Sequence, residues 1–206
     1  MPFITFEGGE GSGKTSQLAL AAARLRSRRL PVVETREPGG TSIGEKIRAI
    51  LLDVGHTHLD PVAEWLLYEA DRRQHVVEQL RRDVASGAYV LCDRYSDTTE
   101  TYQQVGRGID ADLVRTVDAL ARDGLMPDLT LVYDVAPEEG LARARQRDQH
   151  VGRFEGSPLE FHRRVRAAYL EIAKREPDRV RIIAAAAPAE RVFEETWRHI
   201  AERFSL

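Results

Sequence analysis

The sequence has a single cysteine, Cys92, in a chain of 206 residues. One thiol excludes an internal disulfide and is typical of a protein from a reducing compartment. Aromatic residues make up only 7% of the chain, and no apolar run approaches the roughly 18 residues that a membrane span needs. The N-terminus also lacks the basic and then apolar pattern of a secretion signal. These absences predict a cytoplasmic protein without a membrane partner.

The charge balance has no strong bias of either sign. Thirty Lys and Arg residues face 33 Asp and Glu residues, which gives a formal net charge of −3. Because a nucleic-acid-binding surface is usually basic, this balance argues against nucleic acid as a partner. With 42% hydrophobic residues, the chain is long enough to bury a core. A single domain over residues 1–206 is the simplest expectation.

A glycine-rich stretch near the N-terminus has the pattern of a phosphate-binding P-loop: Gly8, Gly9, Glu10, Gly11, Ser12, Gly13, Lys14 and Thr15. It lies between an apolar run at residues 2–6 and an Ala/Leu-rich segment at residues 16–28, so the strand–loop–helix context is present. Glycines let backbone N–H groups approach phosphate oxygens, and the helix N-terminus adds positive potential. Lys14 is predicted to reach the β- and γ-phosphates, and the Thr15 hydroxyl to ligate Mg²⁺. The loop predicts binding of a nucleoside triphosphate.

Short apolar runs alternate with long segments of helical period along the rest of the chain. The runs at residues 3–6, 32–35, 89–92, 129–135 and 180–184 are predicted to be buried strands. Helical period marks residues 43–52, 62–85, 111–122 and 159–174. This alternation predicts an α/β P-loop fold, with a five-stranded parallel sheet flanked by helices on both faces. Ligands bind at the carboxyl ends of such strands, where several polar clusters of this chain should meet.

Asp93 and Arg94 follow the third predicted strand directly. A carboxylate at this position of a P-loop enzyme can hold Mg²⁺, so Asp93 is a second candidate metal ligand; alternatively, it caps a surface turn. Arg94, the next residue, favours a functional site over a surface turn, because it comes at the end of a strand where such sheets bind ligands. Cys92, one residue earlier, is predicted to be a small buried hydrophobic residue and not a nucleophile.

Arginines are abundant around the predicted strand ends and in one later segment. Arg36, Arg48 and Arg94 belong to the first group. Arg143 and Arg147 lie four residues apart on one helical face, and a glycine-containing loop follows them. Planar guanidinium groups neutralise and orient phosphates, so a second phosphorylated substrate would explain this abundance. Residues 143–156 are a candidate lid that excludes water from the reaction, with a charged surface hairpin as the alternative.

Taken together, these residues resemble the thymidylate kinase family over nearly the whole chain. The P-loop alone is shared by many families, whereas the later motifs in this order are more specific. The resemblance implies a fold of the nucleoside monophosphate kinase type and transfer of the γ-phosphoryl group of ATP to dTMP, with Mg²⁺ as cofactor. It also implies a homodimer. The stretches that carry it are Phe6-Glu7-Gly8 through Thr15, Arg36-Glu37-Pro38-Gly39-Gly40-Thr41, Asp93-Arg94-Tyr95, Thr101-Tyr102-Gln103, Gly106-Arg107-Gly108 and Pro127-Asp128-Leu129-Thr130-Leu131.

The same resemblance implies roles around the nucleoside of dTMP. Glu10 takes the place of an acid that contacts the deoxyribose 3′-hydroxyl. Tyr68 aligns with an aromatic residue that stacks on thymine, and Arg72 with an arginine that reads a thymine carbonyl. Thr99 and Gln103 match polar residues near the base. These assignments follow from the resemblance alone.

Around the phosphates, the resemblance places Arg36, Arg48 and Arg94 at the acceptor and Lys14 at the transferring group. It also implies a cis peptide bond between Glu37 and Pro38. Since the acceptor phosphate is already largely ionised, catalysis should come from alignment and charge neutralisation, without a strong general base.

This chain departs from family patterns at two glycines. Gly11 stands where one branch of the family has an arginine, so the catalytic arginine is expected in the lid, as in the bacterial-type branch. Arg143, Arg147 and Arg153 are the candidates, with Arg153 preferred. Gly152 replaces an aspartate that often precedes that last arginine, so the lid keeps the arginine at this place without the preceding acid.

Other functions remain open at this stage. A kinase for another nucleoside monophosphate is the nearest alternative, and a deoxynucleoside kinase is more distant because it has no acceptor phosphate for Arg36 and Arg48. A P-loop switch or partition-type protein would hydrolyse its nucleotide slowly and would not respond to dTMP.

Overall fold

The structure is a computed structural model that describes residues 2–147 and 153–206, and for Arg147 only the backbone. Its centre is a five-stranded parallel sheet with the spatial order β2-β3-β1-β4-β5. The predicted fold class is therefore confirmed, and each predicted strand is found with ends shifted by at most two residues. The strands are β1 (Phe3–Gly8), β2 (Val32–Arg36), β3 (Tyr89–Asp93), β4 (Leu129–Asp134) and β5 (Val180–Ala184).

The helices between the strands match the predicted segments, with one difference in continuity. Residues 62–85 were expected to form one helix, but a π-helical segment, Val76–Leu80, separates its two α-helical parts. A second π-helical segment, Glu100–Gly106, continues α5. The α-helices are α1 (Lys14–Ser27), α2 (Ser42–Leu52), α3 (Pro61–His75), α4 (Arg81–Ala85), α5 (Ser96–Thr99), α6 (Ala111–Arg122), α7 (Pro137–Arg147), α8 (Leu159–Arg175) and α9 (Ala189–Phe204).

Both faces of the sheet are covered by helices. Ile4 and Phe6 of β1 point toward the core under α1 and α9, whereas Phe3 belongs to a separate core with Val76 and Leu80. The three central strands, β1, β3 and β4, are buried along almost their whole length and are largely apolar, as their hydrophobic runs predict. Strand β2 was predicted to be buried, but it is only partly buried because it lies at the edge of the sheet. Among residues 2–147 and 153–206, no helix is long and apolar enough to cross a membrane.

The topology brings three polar segments to one edge of the sheet. Strand β1 lies between β3 and β4, and β2 flanks β3. All strands are parallel, so the P-loop after β1, residues 36–41 after β2 and residues 93–95 after β3 leave the sheet at the same edge. This edge is where open α/β sheets bind their ligands.

Candidate active site

The P-loop conformation depends on glycine at specific positions. Gly8 has a φ of 138°, and a Cβ atom there would lie 2.6 Å from the carbonyl oxygen of Tyr133 on β4. Gly13, at the N-terminus of α1, has a φ of 86°, in the left-handed region. Within the described part of the chain, the main-chain N–H groups of residues 9–13 donate no hydrogen bond to a protein atom. They are therefore available to an anion.

Gly11 rests directly against α7. Its φ is 65°, and an added Cβ atom would lie 1.9 Å from the carbonyl oxygen of Gly140. A side chain at this position would require the loop or α7 to shift. The packing therefore gives a physical reason for the absence of an arginine in this P-loop.

Lys14, Glu10 and Arg94 form a charged group at the mouth of the loop. Lys14 is buried, and its Nζ donates to the carbonyl oxygen of Gly9 at 3.4 Å. Arg94 donates from Nη2 to Oε1 of Glu10 at 2.9 Å. Burial by itself would raise the pKa of Glu10, but Arg94 and Lys14 lower it to about 2. Glu10 is thus an anion that pairs with Arg94 beside the loop.

Thr15 and Asp93 meet on the same edge of the sheet. The Thr15 hydroxyl donates to Oδ2 of Asp93 at 2.5 Å. One hydroxyl and one carboxylate are hard oxygen donors, and Mg²⁺ usually takes only one or two protein ligands together with water and phosphate oxygens. This donor set fits a magnesium ion that is bound with a nucleotide.

A cavity of about 400 Å³ extends from the P-loop toward α2 and α3. This volume is within the range of cofactor and substrate pockets. Most of the predicted site residues lie on its wall: Glu10, Gly11, Gly13, Lys14, Thr15, Arg36, Arg48, Tyr68, Asp93, Arg94, Gln103 and Arg153. We call this cavity the cleft, and its two ends the P-loop end and the α2–α3 end.

Two of the predicted acceptor arginines lie at the α2–α3 end. Arg48 donates from Nη1 to the carbonyl oxygen of Pro38 at 2.7 Å, and burial together with Arg36 lowers its pKa. Arg36 pairs with Glu45 at 2.9 Å and is half exposed. The Glu37–Pro38 peptide bond is cis, as predicted from the family resemblance. A pair of neighbouring cations suits a doubly charged anion better than a neutral group.

Tyr68 and Gln103 form the apolar and polar sides of the same end. Tyr68 is largely buried and lines the cleft. Gln103 is 1% exposed and also lines the cleft, yet its Nε2 and Oε1 have no partner among the described residues. A buried amide without partners costs about 1–3 kcal/mol unless a ligand or water binds it. Gln103 is therefore ready to bond a ligand that has both donors and acceptors.

Arg72 lies behind the wall of the cleft and does not line it. Its side chain is 2% exposed and pairs with Glu37 at 3.0 Å, Glu69 at 2.9 Å and Asp118 at 3.1 Å. It also donates to the hydroxyl of Thr99, which is buried and does not line the cleft either. The two residues thus contact each other. Nε and Nη1 of Arg72 make all of its hydrogen bonds within the described residues, so Nη2 is the nitrogen left to contact a base.

The three candidate lid arginines differ in position. Arg143 donates to the carbonyl oxygen of Ala185 at 2.8 Å and to Glu139, and it does not line the cleft. The side chain of Arg147 lies outside the described residues, as do residues 148–152 of the predicted lid. Arg153 lines the cleft at its α2–α3 end, where it donates to the carbonyl oxygen of Leu51 at 3.0 Å.

Some residues of the cleft were given no role in the sequence analysis. Tyr102 donates from its hydroxyl to Glu10 at 3.0 Å, and Arg94 lies over its ring at 4.9 Å. Phe154 packs edge-on against the same ring at 5.3 Å. Tyr102 lies in one of the motifs that carry the family resemblance, and Phe154 directly follows Arg153 in a lid motif of the same family, so the sequence contained a signal for both.

A glycine-rich loop before a helix, a Thr–Asp pair beside it and a cleft with cations at both ends define a P-loop kinase with room for a second substrate. The family model "Thymidylate kinase" matches residues 6–196. The chain belongs to the thymidylate kinase family.

Individual relatives agree with this assignment. A thymidylate kinase of Trichlorobacter lovleyi is 50% identical over 91% of this chain and 92% of its own. One from Solidesulfovibrio magneticus is 46% identical over 95% and 96% of the two chains. The crystal structure of thymidylate kinase from Ehrlichia chaffeensis superposes with a TM-score of 0.79, at 34% identity and with 97% of each chain covered. The chain is thus a kinase that phosphorylates dTMP in nucleotide biosynthesis, which confirms the predicted activity over its alternatives.

Proposed function

We propose that the cleft binds MgATP at its P-loop end and dTMP at its α2–α3 end, and transfers the γ-phosphoryl group to give ADP and dTDP. The observation that carries this proposal is the continuity of one cavity from Lys14 and Thr15 to Arg48 and Tyr68. Two anionic substrates can meet there only if their charges are neutralised, and the arginines along the wall supply that neutralisation.

Residues at the P-loop end act on the donor and on the transferring group. Lys14 binds the β- and γ-phosphates, Arg94 stabilises negative charge between the substrates, and two arginines of the predicted lid, Arg143 and Arg147, would complete the charge neutralisation. The Thr15 hydroxyl and the Asp93 carboxylate would hold Mg²⁺. The metal ion supplies positive charge that neutralises the β- and γ-phosphates. The acceptor oxygen of dTMP is already ionised, so no protein base is assigned.

Residues at the α2–α3 end, together with Glu10 of the P-loop, select the acceptor. Arg36 and Arg48 bind its phosphate, Glu10 binds the 3′-hydroxyl, and Tyr68 stacks on thymine. Gln103 bonds the edge of the base, which agrees with its unpartnered amide. The predicted contact between Arg72 and thymine remains part of the proposal. Thr99 accepts a hydrogen bond from Arg72 and would orient its guanidinium for that contact.

The test of the proposed function is a panel of acceptors. The protein is incubated with MgATP and, separately, with dTMP, dUMP, dGMP or thymidine, and both ADP and the phosphorylated acceptor are measured. We expect dTMP to give the fastest turnover, and thymidine to give none because it has no phosphate for Arg36 and Arg48. Equal turnover with all monophosphates would refute the selectivity, and ADP release unaffected by any acceptor would refute the transfer.

We also propose that the chain is one domain with a lid at about residues 143–156 and that it forms a homodimer. Support for the dimer comes from exposed apolar side chains on two helices that pack together, α3 and α6: Leu66, Leu113 and Leu120 are 47%, 48% and 72% exposed. A second copy would remove this apolar surface from water. Light scattering at micromolar concentration is expected to give twice the mass of one chain; a single-chain mass would contradict the dimer. The buried thiol of Cys92 agrees with a reducing compartment such as the cytoplasm.

A further inference from the structure

Glu64, in the first turn of α3, is a fully buried carboxylate that the proposed reaction does not use. It forms ion pairs with two arginines that are distant in the sequence. Arg107 donates to it from Nε at 3.2 Å and from Nη2 at 3.0 Å, and Arg153 pairs with its Oε2 at 2.8 Å. One buried anion thus orients two cations.

Arg153 connects the segment after the predicted lid helix to the α2–α3 end of the cleft. Its Nη2 reaches Glu64 at the start of α3, and its Nη1 reaches the carbonyl oxygen of Leu51 in the last turn of α2. The side chain lines the cleft together with Arg48 and Tyr68, whereas Glu64 does not line it. Glu64 therefore acts on the cleft only through Arg153 and its neighbours.

Arg107, the second arginine bound to Glu64, also contacts the aromatic residues near Arg153. Its guanidinium lies 5.4 Å from the ring centroids of both Phe154 and Phe161. Phe154 in turn packs on Tyr102, which donates to Glu10 of the P-loop. A continuous series of contacts thus runs from Glu64 through Phe154 to the acid that we assign to the deoxyribose.

The orientations of Arg107 and Arg153 both depend on the charge of Glu64. An arginine side chain has many rotamers, and holding one in a single orientation costs entropy that a charge-assisted hydrogen bond can offset. Arg107 and Arg153 share one carboxylate, so loss of its charge would leave two partly buried cations uncompensated. Among its contacts with described residues, Arg153 would then retain the hydrogen bond to Leu51 alone, and its place on the cleft wall would no longer be fixed.

We propose that Glu64 is a positioning residue that holds Arg153 on the wall of the dTMP end of the cleft. The proposal rests on the proposed function. It assigns Arg153, held by its ion pair with Glu64, to binding of the acceptor. Arg153 was preferred from the sequence as an arginine of the transferring group; its contacts with α2 and α3 favour the acceptor instead. A structural role alone would lower thermal stability and affect both substrates alike, whereas a positioning role affects dTMP selectively.

The test is a double-mutant cycle with Glu64→Gln and Arg153→Met, in which kcat and KM are measured separately for dTMP and ATP. The glutamine side chain of E64Q keeps the shape of the carboxylate but loses its charge, and only one of its two terminal atoms, the amide oxygen, can accept from an arginine. We expect E64Q to lower kcat/KM for dTMP by about tenfold to a hundredfold, because small misplacements of a binding group have effects of this size. KM for ATP should stay within about twofold. In the Arg153→Met background, E64Q should cause less than about a threefold further loss.

Glu100→Gln serves as a matched control. Glu100 forms a two-point ion pair with Arg175, at 2.8 Å and 2.7 Å, and neither residue lines the cleft. E100Q should leave kcat/KM for dTMP within about twofold. The melting temperature of each variant shows whether it is folded. If E64Q does not fold, the proposal still requires that Arg153→Met alone raises KM for dTMP and leaves KM for ATP unchanged. Multiplicative losses in the double mutant, or equal losses for both substrates, would overturn the proposal. The wild-type acceptor panel gives its result independently of this cycle.

Discussion

Replacement of Lys14 by alanine is expected to lower kcat by about a hundredfold to a thousandfold. The Lys14 ammonium group is buried at the P-loop end of the cleft, where it lies near Glu10, Asp93 and Arg94. Burial and Arg94 lower its pKa, while Glu10 and Asp93 oppose that change. In such a site one positive charge on the transferring phosphoryl group contributes about 3–4 kcal/mol to transition-state stabilisation. Steady-state kinetics with MgATP and dTMP measure the loss.

The fold should survive this substitution, because the only hydrogen bond of the Lys14 side chain in the described part of the protein is the 3.4 Å contact to Gly9. Lys174→Ala is a suitable control, since Lys174 lies on the exposed surface of α8, far along the chain from the P-loop, and pairs with Glu171 on the same helix. The control should retain full activity. Near-normal turnover of a folded Lys14→Ala protein would refute both the role of Lys14 and the assignment of the P-loop end to ATP.

Replacement of Arg94 by methionine is expected to lower kcat/KM for dTMP by about a thousandfold. Arg94 lies between Glu10 and the ring of Tyr102, so its guanidinium is held where the two substrates would meet. Burial alone would lower its pKa, but Tyr102 and Glu10 raise it well above the ordinary value and keep the group charged. Methionine preserves much of the side-chain volume and removes the charge and the donors. The loss corresponds to about 4 kcal/mol.

Arg94→Lys separates charge from geometry. Lysine keeps the charge but lacks the planar fork, so it should recover only part of the loss. Arg198→Met on the exposed side of α9 is the matched control and should behave as wild type. Equal activity of the lysine variant and wild type would show that the fork geometry is dispensable, and wild-type activity of Arg94→Met would remove Arg94 from the site.

The strands and the P-loop could be predicted because they depend on local chemistry. Strand β5 has the predicted ends, and β1 extends two residues beyond them. Strands in the middle of a covered sheet are mostly apolar, and a phosphate loop contains glycine where φ is positive, as at Gly8 and Gly13. Both requirements leave a signal in the local sequence.

Other features depend on contacts between segments that are far apart in the sequence. The π-helical segment Val76–Leu80 interrupts a region of uninterrupted helical period. The resemblance placed Arg72 at the base, yet Glu37, Glu69 and Asp118, from three different segments, hold it behind the wall of the cleft. A helical pattern does not show which buried carboxylates will surround an arginine.

The sequence by itself determined the fold class, the donor loop and the family, because these follow from periodicity and from residue types at fixed spacings. The tertiary structure alone decided which arginines reach the cleft. Arg94 and Arg153 line it, whereas Arg72 and Arg143 are bound elsewhere. A guanidinium group has a long, flexible stem and several possible partners, so its position is set by the carboxylates and carbonyl groups that the fold brings within hydrogen-bonding distance.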